Sequence, residues 1–306
     1  MSILALKIMK PLLLLLSFLW FFSCTGNKNT NTGHGFSQLI TCGDEKVAVY
    51  EMVPADSLGF AKVWEWTASM SEGLPENFHD YFKTTDDCKP IGENQILITS
   101  SSGGVALVNR ADKKTVFYAH APNAHSAEYL PGNKLVVALS TAENGNSIRL
   151  YDLDHSDRIL FTDSLFSGHG VVWDKENNSL FALGFDQLRE YKLEDWDSSQ
   201  PQLKQVNEWK IPDESGHDLF LTNDRRLLLS TTNSVWQFDI KSSTFSPFPP
   251  LEGVHHVKSV NLNTQTGELL YTKGEISWWT HHIYMHLPKK DTLALTNKKI
   301  YKVRVM

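Results

Sequence analysis

Cysteine is scarce in this 306-residue chain: Cys24, Cys42 and Cys88 are the only three. No Cys-x-x-Cys pair and no finger-like Cys/His spacing occurs, which excludes a zinc ribbon, a thioredoxin-type redox motif and a densely stapled small scaffold. Long apolar runs are also lacking. The longest, Pro11 to Phe22, covers about a dozen residues and is too short for a stable spanning helix. There is no block of Lys and Arg. With 29 basic against 35 acidic side chains the formal net charge is −6, so no nucleic-acid partner is expected. No Gly-x-Ser-x-Gly nucleophile turn is present. The glycine-containing stretch Ser100–Gly104 is followed by no helical pattern, which leaves a phosphate loop unsupported.

What is present begins with a targeting signal. Lys7 and Lys10 give a positive region ahead of the apolar run, which closes on Phe21-Phe22-Ser23-Cys24. This pattern predicts a secretory signal over residues 1–23, with Cys24 lipidated as the first residue of the mature chain. Phe21 departs from the aliphatic residue usual there, and an ordinary signal peptide is the alternative. Residues 24–35, rich in Asn, Thr and Gly, read as a flexible tether. The expected location is therefore the bacterial cell envelope, periplasm or cell surface, anchored in a membrane through lipid. Whether Cys42 and Cys88 pair there stays open.

Residues 36–306 form a single expected domain, and their pattern repeats every 40 to 50 residues or so. Six continuous apolar runs recur: Leu39–Cys42, Ile96–Thr99, Leu135–Ala138, Leu180–Leu183, Leu227–Ser230 and Leu269–Thr272. Each suits a strand buried on both faces. Each is followed by an alternating segment, such as Val105–Arg110 or Ile148–Leu153, suited to a half-buried strand. Turn-forming residues such as Pro131-Gly132-Asn133 precede the apolar runs. Six copies of four strands predict an all-β, six-bladed β-propeller of four-stranded antiparallel blades. A β-sandwich would use similar strands but would not require sixfold repetition. The first copy lacks an innermost strand before Val47, and Lys299–Arg304 reads as an outer, fourth strand. Trp64, Trp66, Trp209 and Trp236 are expected in packing between blades. The stretch Ser69–Thr85 is longer than other connections and suits a short helix or lid.

The functional signal is positional. His125, His169, His217 and His256 precede the next apolar strand at matching places in successive copies, and Asp86 holds that place in the second copy. In a propeller such positions converge on one mouth of the central channel. Asp87, Glu128, Asp218, Lys89, Lys258, Trp278, Trp279 and His281 are expected near it, as ligand contacts or, for the lysines, bases. Trp278 and Trp279 cannot face the same way in a strand, so one packs and the other can stack on a sugar. His125, His169, His217 and His256 could equally hold a divalent metal, or each could simply cap its strand.

Three readings follow. An enzyme acting on carbohydrate, lyase or hydrolase, would use His125, His169, His217, Lys89 or Lys258 for acid/base work, with or without a metal. A binding protein for glycan or another small ligand would use the same mouth without turnover. An interaction scaffold would instead show an exposed apolar patch.

The lipobox, Cys42-Gly-Asp, Asp87-Cys-Lys-Pro90, Ser101-Ser-Gly-Gly104, His125-Ser-Ala-Glu128, His169-Gly-Val-Val-Trp173, Val257-Lys-Ser259 and Ile300-Tyr-Lys302 together resemble a family of uncharacterised propeller lipoproteins of Bacteroidota. The resemblance spans the mature chain. It implies a six-bladed propeller often found beside polysaccharide-degrading systems, and it carries no established catalytic residue.

Overall fold

A computed structural model describes residues 36–53, 59–287 and 290–306. The predicted signal, Cys24 and the tether lie outside them. The described chain forms six four-stranded antiparallel sheets. Their inner strands touch in cyclic order, so the sheets are blades around one axis. In blades two to six the inner strand comes first in the chain: Thr85–Ile91, Ala124–Leu130, Gly170–Asp174, Asp218–Leu221 and Val257–Leu262. The second strands, expected as apolar runs, are buried along most of their length, as in Gln95–Ser100 and Ser179–Leu183.

The first blade corrects one expectation. Its inner strand is Lys302–Val305, from the C-terminus, paired antiparallel with Gln38–Cys42. The segment read as an outer strand closes the ring. Alternation alone cannot separate the two roles, because Val303 and Val305 mark one apolar face in either case.

The core is divided as the fold is. Among the described residues, six apolar clusters lie between successive blades. Trp66 is fully buried in the cluster between blades one and two, and Trp209 packs on Phe238 with ring centroids 4.8 Å apart. The long connection after Trp66 forms two 3₁₀ turns, Ala68–Met70 and Glu76–Phe82. They seat Phe82 on Trp66 and against Gly104, where any Cβ would lie 2.7 Å from the Phe82 ring. The segment is thus a packed brace on blade two.

The channel is blocked by charge. Arg304 donates to Asp87 through Nε at 2.8 Å and to Asp218 through Nη2 at 2.6 Å. Asp87 and Asp218 belong to blades two and five, on opposite sides of the axis. Lys302 Nζ, wholly buried, lies 3.1 Å from Asp218 Oδ1 and 3.9 Å from Asp87 Oδ2, without a well-directed hydrogen bond. Burial alone would raise both carboxyls. Arg304 and Lys302 reverse this and hold both below the usual carboxylate range. Removing one partner of such a cluster leaves buried charge uncompensated. Arg304→Met is therefore expected to cost about 3–5 kcal/mol, which lowers the melting temperature by roughly 10 °C in a chain of this size. Thermal unfolding followed by circular dichroism checks this, and an unchanged melting temperature refutes it.

Candidate functional site

One residue per blade lines the mouth above this ion-pair layer: Tyr301, Asp86, His125, His169, His217 and Lys258, in blade order. They surround a cavity of about 500 Å³, a size suited to a small ligand. Local irregularity aims them. In blades two, three and six the inner strand bulges at one extra residue, and that residue is Asp86, His125 or Lys258. In the other blades the ring residue stands just before the strand. His169, His217 and Tyr301 donate their backbone N–H to Leu183, Ser230 and Cys42 respectively.

The imidazoles are tightly set. The rings of His125 and His169 are 4.2 Å apart between centroids, and those of His169 and His217 are 5.6 Å apart. His125 Nδ1 lies 3.1 Å from the Asn123 carbonyl and His169 Nδ1 lies 2.8 Å from that of Ser167. A carbonyl only accepts, so both Nδ1 atoms carry hydrogen and the Nε2 atoms are left as acceptors when the rings are neutral. Burial lowers the pKa of all three imidazoles. His169 is lowered further by His125 and His217, and His217 by Lys258 and Lys302.

Two pairs stand out. His125 Nε2 faces Asp86 Oδ1 at 3.5 Å. Burial raises the Asp86 carboxyl while it lowers His125, so the pair is suited to sharing one proton. Across the ring, Lys258 Nζ lies 2.8 Å from His217 Nε2. Burial, aided by Lys302, pushes the Lys258 ammonium down to about 8. His217 Nδ1 is buried and has no partner. Tyr301 is pushed well above its ordinary value by burial and by the aspartates, and so keeps its phenolic proton. Trp278 stands at the rim of the same cavity, its ring 5.8 Å from that of Tyr301.

Several expected residues lie elsewhere. His256 is exposed, with a left-handed φ of 59°, two residues ahead of the bulged Lys258 that takes the ring position. The four-imidazole metal set is therefore not assembled. Among the described residues, no three His, Cys, Asp or Glu side chains have the arrangement of a metal site. Asp87 and Asp218 are committed to the ion-pair layer. Lys89 and Glu128 pair with each other at 3.0 Å at the opposite end of the channel. Trp279 packs on His281, whose Nδ1 lies 2.6 Å from the Lys298 carbonyl, so this pair braces the loop and leaves the mouth to Trp278. Tyr301 was missed. The one available signal was the need of the first copy for an inner strand.

A model described as a family of unknown function (DUF6528) matches residues 46–306. The chain belongs to this family. The match includes all six ring positions. No curated protein matches the chain. Among solved structures, a chain described under "Crystal Structure of Mitotic Checkpoint Complex" shares 14% identity, covers 78% of this chain and 68% of its own length, and superposes with a TM-score of 0.53. That likeness is one of fold. In all, 1104 solved chains match, and a fold so widely reused does not carry an activity with it.

The depressed imidazoles make stability depend on pH in a defined sense. Unfolded His takes up a proton near pH 6.5, whereas folded His169 and His217 resist it. Stability therefore falls as pH drops below about 6.5. Asp86, raised in the fold, acts oppositely and only above its unfolded value of about 3.9. The melting temperature is expected to drop between pH 7 and pH 5. The drop should be smaller in a His169→Gln, His217→Gln double variant. Equal drops in the two proteins would show that the ring imidazoles are not held neutral.

Proposed function

We propose that the six-residue mouth is the site of an exported, envelope-anchored enzyme that moves protons on a carboxylate-bearing carbohydrate. The observation that carries this reading is the Lys258–His217 contact of 2.8 Å inside the cavity, with the lysine lowered to about 8. A lysine so placed is a usable base near neutral pH. The N-terminal signal pattern supports export, and the Trp278 face at the rim supports a sugar ring as ligand.

The chemistry these groups suit is β-elimination. The proton shared by Asp86 and His125 hydrogen-bonds the substrate carboxylate and lowers the charge that would build up on it. The Lys258 amine removes the hydrogen on the carbon next to that carboxylate. The bond from the neighbouring carbon to its oxygen breaks, its electrons leave with the oxygen, and a carbon–carbon double bond remains. The Tyr301 hydroxyl supplies the proton to the departing oxygen. Lys258 returns its proton to solvent, and Tyr301 is reprotonated. The Nε2 acceptor of His169 suits a substrate hydroxyl.

The test is ultraviolet absorbance of unsaturated products from uronate-containing glycans. Turnover should rise with pH and level off above about 8, where Lys258 is the free amine. Lys258→Met should lose about 10²–10⁴-fold. Tyr301→Phe should also be slowed but keep the rising limb. A Lys258→Met protein with full turnover refutes the assignment. Glycan binding with no turnover in the parent protein makes the mouth a binding site only.

A further inference from the structure

Three residues beyond each ring position, the same six inner strands present Lys89, Glu128, Val172, Phe220, Asn261 and Arg304. These side chains line a second cavity, of about 230 Å³, at the other end of the channel. It is about one and a half times the engineered apolar cavity that takes benzene. Trp173, Leu219, Leu221 and Pro90 complete apolar walls around a polar floor.

Most of the donors on the floor are committed, while two acceptors, Asn261 Oδ1 and the second Glu128 oxygen, are open to a ligand. Four Arg304 N–H bonds already go to Asp87 and Asp218. Lys89 donates to the Val171 carbonyl and to Glu128 Oε2. Asn261 is fully buried. Its Nδ2 donates to the Val303 carbonyl at 2.9 Å, but its Oδ1 receives nothing. A buried acceptor left without a donor is unfavourable, and a ligand that brings one relieves it. Lys89 reaches Glu128 through one oxygen only. Trp173 and Phe220 are partly exposed to the cavity and present the aromatic surface that attracts cations.

We propose that this second cavity binds a small organic ammonium ion with an aromatic or branched aliphatic body. The ammonium hydrogens go to Asn261 Oδ1 and to the Glu128 carboxylate. The body lies against Phe220, Trp173, Val172 and Leu219. The site is separate from the ring mouth, because the Asp87–Arg304–Asp218–Lys302 layer lies between them, and it does not depend on the elimination chemistry.

Calorimetric titration of the full chain with 2-phenylethylammonium tests this, with 3-phenylpropionate as the anionic control of like shape. The ammonium should bind with a Kd of about 1 mM or tighter. The carboxylate should bind at least about tenfold more weakly. Glu128→Gln and Phe220→Ala, both at partly exposed positions, should each weaken the ammonium by about tenfold or more while keeping the parent circular dichroism spectrum. Asn261→Leu should do the same if it folds, and the other two variants decide the matter if it does not. No saturable heat up to about 10 mM, equal affinity for the carboxylate, or parent affinity in either Glu128→Gln or Phe220→Ala overturns the proposal.

Discussion

One side chain spans the channel and holds opposite sides of the ring together. Arg304 reaches Asp87 on blade two and Asp218 on blade five from the strand that closes blade one. A buried ion pair is weak evidence for net stability, because desolvation offsets much of the attraction. Its consequence here is register. Sliding the closing strand by one residue would put Val303 or Val305 where Arg304 stands and leave two buried carboxylates without it. The apolar alternation of Val303 and Val305 would tolerate a two-residue slip, but the charges would not. The charged layer thus specifies how the propeller closes, while the six apolar clusters supply most of the driving force.

Burial is the main influence on the titrating groups of the mouth, and the same layer adds to it from below. Lys302 is a cause of the lowered pKa of His125, His169, His217 and Lys258. Neutral imidazoles and a weakened lysine follow from burial beside a cation that is itself held by two aspartates. Tyr301 is the next residue on that strand. Closure and chemistry therefore share four consecutive positions, Tyr301 to Arg304, and a change that loosens the closing strand should disturb both.

Much of the fold was legible in the sequence, because each second strand is an uninterrupted apolar run and each third strand alternates. The convergence of His125, His169, His217 and Asp86 was legible from the same repetition. The errors have two physical sources. Counting back from an apolar strand assumes a regular ladder, and the bulge before Ser259 moves the ring position from His256 to Lys258. A bulge leaves no residue-type signature in Val257-Lys258-Ser259. The second source is circularity. A ring closed by its own C-terminus puts Tyr301 beside residues more than forty positions away, and nothing local to residues 299–306 distinguishes an inner strand from an outer one. Lys89 and Glu128 were drawn to the wrong mouth because a strand of this length runs from one end of the channel to the other. Three residues are enough to change ends.

That distance explains how one scaffold separates its tasks. The ring position of each inner strand is free to carry chemistry, since it sits on a bulge or just ahead of the strand. The position after it has to admit the charged layer. There Ser126, Gly170 and Ser259 are small, and only Asp87, Asp218 and Lys302 are large. At Gly170 a Cβ would come within 2.6 Å of Leu219 Cβ, so blades four and five approach as closely as they do only with hydrogen at that point. The third position, among them Cys88, Ala127, Val171, Leu219, Val260 and Val303, is buried in the contacts between blades. The fourth opens into the other cavity. Small residues under the ring leave room for Lys302 to lie wholly buried, where it adds to the burial that lowers the three crowded imidazoles.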